Sequence, residues 1–185
     1  MKLQRIGIIP IGNLYLQNRV LDELKKNLSK SYNCEVEIIT EIDVIRRLHN
    51  AQRQQYLASG FFEYLRAIDP EGHCDLYLGV INEDLYVPGL NFVFGLANPE
   101  NRSAIIGLAR LNQEFYNLSS NDTLFLERTV KEAIHEIGHL IKLKHCEDPL
   151  CVMHFSNSLP DTDRKTHGFC EEHKKAINSM KKVEV

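Results

Sequence analysis

Residues 129–143, TVKEAIHEIGHLIKL, constrain this 185-residue chain more tightly than any other stretch. Val130, Ile134, Ile137 and Ile141 recur at i, i+4, i+7 and i+11, one continuous apolar stripe along a helix. His135 and His139, four residues apart, leave that helix one turn apart on a common face, so both imidazoles can grip one ion. Glu136, beside the first of them, can reach a water held there without itself ligating. His145 follows and supplies a third ligand, the number that leaves a catalytic zinc ion one open position. A helix continued through His145 would carry it about 9 Å further along the axis and turn it away. The chain must therefore leave the helix near residue 142 and double back, through a turn that favours a glycine with positive φ. Lys142 stands there instead. A lysine forced into a left-handed conformation there would cost about 1 kcal/mol, small beside the roughly 10 kcal/mol or more of structural zinc binding.

The segment after His145 reads CEDPLCVMHFSNSLPDTDRKTHGFCEEH. Cys146 and Cys151 are separated by four residues, and Cys170-x-x-His173 opens a short helix expected from about residue 171 to 180. Four soft ligands in two pairs suit a closed tetrahedral Cys₃His zinc site. His154 and His167 are alternatives to His173 as its fourth ligand, and three buried free thiols are the plainer reading. Five cysteines, an odd number with three crowded beside histidines, argue for metal ligation in a reducing compartment rather than disulfides. A cytoplasmic location follows. Cys34 and Cys74, in or beside apolar strands, read as inert core residues.

Composition bounds the rest. With 43% hydrophobic and 25% charged residues, the chain reads as a soluble globular protein able to bury a real core. A net charge of -3 without a basic patch argues against nucleic acid. The Lys174-Lys175 and Lys181-Lys182 cluster reads as a solvated helix face. No apolar run spans a membrane, and no small-residue cleavage site follows the N-terminus. Strands are expected at residues 3–9, 36–40 and 75–81, the last apolar on both faces and so central in its sheet. Shorter strands are expected at 91–96 and 103–111. Leu14, Gln17, Leu21, Leu24 and Leu28 mark one helix, residues 43–68 a second, and 122–143 a third, capped by Asp122 or Thr123. Pro10-Ile11-Gly12 reads as a turn.

These residues resemble the archaemetzincins, a metzincin branch of the zinc metallopeptidases. Their pattern is HExxHxxGxxHC, four residues, Cys-x-Met and a distant Cys-x-x-Cys. His135, Glu136, His139, His145, Cys146, Cys151, Met153 and Cys170 stand at matching positions, while Lys142 replaces the glycine and His173 the last cysteine. Residues 84–95, DLYVPGLNFVFG, and Ala109-Arg110-Leu111 also look like the family. The resemblance covers most of residues 75–173. It implies an α+β, metzincin-like fold: a twisted mixed β-sheet with a backing helix and an active-site helix, and a small zinc-stapled C-terminal subdomain ending in a helix. On that reading residues 1–145 form the catalytic subdomain and 146–185 the second. Met153 is implied to form a Met-turn beneath the catalytic ion. The edge near residues 91–95 is implied to pair with an extended peptide, and residues 154–158 to wall the specificity pocket.

The expected activity is peptide-bond hydrolysis by a monomer acting on peptide or protein substrates with two Zn²⁺ ions, one catalytic and one structural. Zinc polarises the scissile carbonyl, and Glu136 passes a proton from water to the leaving amine. Tyr86, Tyr116 and Arg110 are the candidates for a second acid or oxyanion donor. Two rival readings remain: a zinc-binding or regulatory module with low or blocked peptidase activity, and a structural metal protein that uses the cysteine cluster alone.

Overall fold

The structure, a computed structural model, describes residues 3–14 and 18–180; Gln17 and the Lys181-Lys182 pair lie outside them. In chain order come β1 (Arg5–Ile11), α1 (Asn18–Tyr32), β2 (Glu35–Ile38), β3 (His49–Asn50), β4 (Gln55–Leu57) and α2 (Phe62–Ala67). Then follow β5 (Leu76–Ile81), β6 (Leu85–Tyr86), β7 (Gly95–Asn98), β8 (Ser103–Gly107), α3 (Asp122–Leu140), α4 (Leu159–Arg164) and α5 (Glu171–Met180).

Five strands form one sheet in the order β2-β1-β5-β8-β7. The first four are parallel, and β7 runs antiparallel to β8 as a free edge. Because side chains alternate along a strand, each central strand feeds two cores. Ile6, Ile8, Leu78, Val80 and Ile106 face one side, against Leu21, Leu24 and Leu28 of α1 and Ile134 and Ile137 of α3. Ile9, Ile11, Tyr77, Ile81 and Ile105 face the other, against Phe61, Phe62 and Leu65. The expectation that residues 75–81 lie centrally is met by β5, buried at every position. Cys151, Val152, Met153 and Ile177 join the first core, so the chain after His145 packs onto the sheet's helical side. No described helix is long and apolar enough to cross a membrane.

The local expectations differ from the structure in several places. The helix expected over 43–68 survives only as α2. Asn50 Oδ1 accepts from the backbone N–H groups of Gln52 and Arg53, and Gln54 takes φ 54°, so the chain turns into the β3–β4 hairpin. This hairpin and β6 make a second, three-stranded sheet that no apolar periodicity announces. β1 continues through Pro10, whose carbonyl accepts from Ile42, and the turn falls at Gly12 and Asn13, both with positive φ. Asn121, not Asp122 or Thr123, caps α3 by accepting from Leu124 N–H. Residues 91–94 lie ahead of β7 rather than in it, because Arg53 and Gln55 bind the Leu90 and Asn91 carbonyls. Residues 108–111 leave β8 for a short 3₁₀ turn.

Candidate metal centre

α3 ends where the ligand spacing requires. Lys142 adopts φ 65°, its N–H bonds to the His139 carbonyl, and Leu143 N–H reaches back to Gly138, each at 2.9 Å. This is a Schellman turn with lysine in the glycine position. Leu143 is buried beneath it, and its carbonyl accepts from His139 Nδ1 at 2.9 Å. The turn that returns His145 thus also orients His139. His135 Nδ1 is held by the Val152 carbonyl at 2.9 Å. Both rings are therefore fixed through Nδ1 and present Nε2 inward.

The three Nε2 atoms converge. His139 Nε2 lies 3.0 Å from that of His135 and 3.2 Å from that of His145. Two nitrogens bound tetrahedrally to zinc at about 2.0–2.1 Å stand about 3.3 Å apart, so the donor set fits. Burial lowers the pKa of all three imidazoles, with Lys165 pushing the same way. The neutral form, the one that ligates, is favoured.

Glu136 is buried alongside, and burial, then the Glu132 carboxylate, push its pKa well above the usual carboxylate range. Gly95 at the start of β7 makes room for it. A Cβ there would lie 2.6 Å from Glu136 Cγ and 2.7 Å from Oε1. Gly138 plays the same part for Met153, whose Sδ would stand 2.5 Å from a Cβ at 138. Met153 thus packs directly on the backbone of the histidine helix, fully buried.

Cys146, Cys151, Cys170 and His173 form a second group whose ligand atoms all lie within 4.8 Å of one another. Cys146 and Cys170 Sγ are 3.7 Å apart, and His173 Nδ1 is 3.2 Å from Cys170 Sγ and 3.6 Å from Cys151 Sγ. A disulfide needs about 2.05 Å, whereas tetrahedral zinc with Zn–S of about 2.3 Å spaces its donors at about 3.5–3.8 Å. Burial pushes the Cys146 thiol up to about 12 and raises Cys151. At Cys170 burial is outweighed, first by the His173 N–H at the start of α5, and the pKa falls. His154 instead bonds the Cys146 carbonyl, and His167 is not in the group.

The three-histidine face opens on a cleft of about 490 Å³ between residues 87–97, α3 and residues 155–157. Tyr86, Tyr116 and Arg110 do not line it; Arg110 is paired with Asp84 at 2.7 Å. Sequence reasoning overlooked the polar stripe of α3 that continues N-terminally from the ligands. Glu132 pairs with Lys165 at 3.0 Å, with side chains 4% and 0% exposed. Arg128 holds Asp163 through two bonds of 2.6 and 2.7 Å, and Lys131 Nζ donates to the Thr162 and Asp163 carbonyls. The signal was present as Arg128, Lys131, Glu132, His135, Glu136 and His139 on one helical face.

A mixed sheet backed by such a helix, with its third histidine returned by a tight turn, is the architecture of a zinc-dependent metallopeptidase. Residues 3–179 match the sequence pattern of Peptidase family M54. The chain is 43% identical over 172 residues to the archaemetzincin of Pyrococcus abyssi, covering 90% of each chain. It is similar to the crystal structure of archaemetzincin from Methanopyrus kandleri, with TM-score 0.83, 35% identity, and coverage of 96% of this chain and 95% of that one. A zinc-dependent peptidase from Methanocorpusculum labreanum follows at TM-score 0.79 and 29% identity, covering 94% and 100%. The chain belongs to peptidase family M54, the archaemetzincins, and is a zinc metallopeptidase.

Proposed function

We propose that the protein hydrolyses peptide bonds in peptide or protein substrates at a zinc ion held by His135, His139 and His145, with Glu136 as general base. The convergence of the three Nε2 atoms beside a buried Glu136 carries this reading. Bound there, zinc supplies a Lewis acid for the scissile carbonyl and lowers the pKa of water. Glu136 accepts the proton of the attacking water and returns it to the leaving amine. Its burial favours the protonated state it must pass through, and the missing Cβ at Gly95 leaves room for its carboxylate. Residues 90–97 along the cleft are suited to hold an extended peptide beside the free edge of the sheet.

A second zinc ion belongs, on the same reading, to Cys146, Cys151, Cys170 and His173. It ties α5 to the loop that carries His145, since Cys146 is the next residue. Met153 serves as the Met-turn residue beneath the histidines. Metal quantification and a peptide-library screen on wild type and Glu136→Ala test the whole. Two zinc ions per chain are expected in both proteins, with cleavage abolished only in the variant. Unchanged turnover in Glu136→Ala overturns the assignment of the base. Zinc without cleavage by the wild type favours a binding or regulatory module.

A further inference from the structure

One wall of the cleft, formed by Leu90, Asn91 and Phe92, is held by side chains that do not themselves line it. The Leu90 N–H closes a turn onto the Val87 carbonyl, and backbone pairing resumes at Val93, whose N–H donates to Leu85. Between those points the carbonyls are bound by side chains. Arg53 donates to the Leu90 and Asn91 carbonyls at 2.9 and 2.8 Å, and Gln55 Nε2 donates to the Asn91 carbonyl at 3.0 Å. The donors are themselves linked. Arg53 Nε donates to Gln55 Oε1 at 2.7 Å, Gln55 Nε2 to Asp84 Oδ2 at 3.0 Å, and Arg110 Nε to Asp84 Oδ1 at 2.7 Å. Arg110 then returns to the wall. Its guanidinium carbon lies 4.3 Å from the Phe92 ring centroid and 4.7 Å from that of Phe115. Gln55 and Asp84 are buried, so a break in the series leaves polar groups unpaired away from water.

We propose that Arg53, Gln55, Asp84 and Arg110 act as one relay of positioning residues that holds residues 90–92 in the shape that binds the peptide. The inference rests on the peptidase reading of the same cleft, and it gives Arg110 a role away from the reacting atoms. A wall held in this way is formed before substrate arrives, so less ordering remains to be done on binding. The relay therefore sets affinity for the peptide and leaves the chemistry at the histidines and Glu136 unchanged. Loss of one charge-assisted bond corresponds to about a tenfold loss of affinity. Because the four side chains share partners, two breaks cost little more than one.

The test measures binding of an extended fluorogenic peptide to the zinc-loaded Glu136→Ala protein, and its cleavage by the protein with Glu136 intact. Each is repeated with Arg53→Ala, Arg110→Ala and both together. Each single change should raise Kd and KM about tenfold with kcat within about twofold of wild type, and the double change should stay near tenfold rather than reach about a hundredfold. A structural role alone would lower kcat through a smaller folded fraction and leave KM where it was, and that result overturns the inference. So do effects that multiply in the double variant. Arg53 is exposed, so its removal leaves the core intact, and unchanged peptide binding in Arg53→Ala overturns the inference as well. The peptidase reading fails separately: weaker binding by both variants with no cleavage by wild type would keep the relay and discard the hydrolysis.

Discussion

Gly95→Ala tests how narrowly Glu136 is placed. The added methyl would stand 2.6 Å from Glu136 Cγ, 2.9 Å from Cδ and 2.7 Å from Oε1. Ordinary contacts at such atoms begin near 3.5 Å, so something must move by about 0.9 Å. The strand cannot retreat cheaply, because Gly95 is in register with Ile106 in the β7–β8 ladder. Glu136 is 5% exposed and has little free volume to swing into. Overpacking of this kind costs about 1–3 kcal/mol of stability, or several degrees of melting temperature for a chain of this size. The larger effect is on chemistry, since a misplacement of about 1 Å can cost 10²-fold in rate. We expect kcat/KM to fall about 10²-fold with zinc content unchanged, because the three atoms nearest the new methyl all belong to Glu136 and none to a histidine. Steady-state cleavage of a fluorogenic peptide, with metal analysis of the same preparation, reads both quantities. Activity within about threefold of wild type would refute the reasoning, for Glu136 would then tolerate displacement or not set the rate.

Other positions give outcomes of defined sign. Lys142→Gly removes a left-handed lysine that has no ion pair among the described residues, so the melting temperature should rise by the few degrees that about 1 kcal/mol represents; an unchanged or lower value would show that the turn carries no strain. Gly138→Ala should do the opposite of what this change does in most helices, destabilising by about 1–3 kcal/mol through Met153, and a stabilised variant in thermal denaturation would contradict the packing. Asp69 and His73 make a pH window. Burial disfavours the Asp69 carboxylate, but the Tyr77 hydroxyl, His73 and the Cys74 N–H outweigh it and hold its pKa well down. Its contribution is complete above about pH 4 and is lost as pH falls towards the folded value. The hydrogen bond to Asp69 raises the His73 pKa, so that contribution is complete below about pH 6.5 and is lost as pH rises through the folded value. The melting-temperature gap between wild type and Asp69→Asn should therefore be widest between pH 4 and 6.5, and a gap that does not vary with pH argues against the pair.

What was legible in the sequence was what local spacing encodes. The amphipathic stripe of α3, its enforced end at Lys142, the central placing of β5 and the bounds of α5 all follow from periodicity or from ligand geometry. The histidine trio and the Cys₃His group converge in space, with His173 rather than His154 or His167 in the second. Residues 43–61 misled because Tyr56 and Phe61 share a buried side with Leu65 of α2 without sharing its helix; the Asn50 side chain turns the backbone ahead of them. Glu132 and Lys165 could not be paired by spacing, since 33 residues separate them. Gly95 and Gly138 looked like ordinary small residues, and only the approach of Glu136 and Met153 shows what a methyl would do there.

The charged stripe of α3 also bears on how the chain is made. Arg128, Lys131 and Glu132 are buried, and apart from the Leu111 carbonyl bonded to Arg128 their partners are 31 to 35 residues later in the chain. During synthesis at about 5–20 residues per second, α3 emerges roughly two to seven seconds before those partners do. Until then it cannot bed against the sheet without burying uncompensated charges, each of which costs several kcal/mol. The histidine helix is thus held back from its final seat until the C-terminal segment arrives, which makes it a natural client for whatever shields nascent chains.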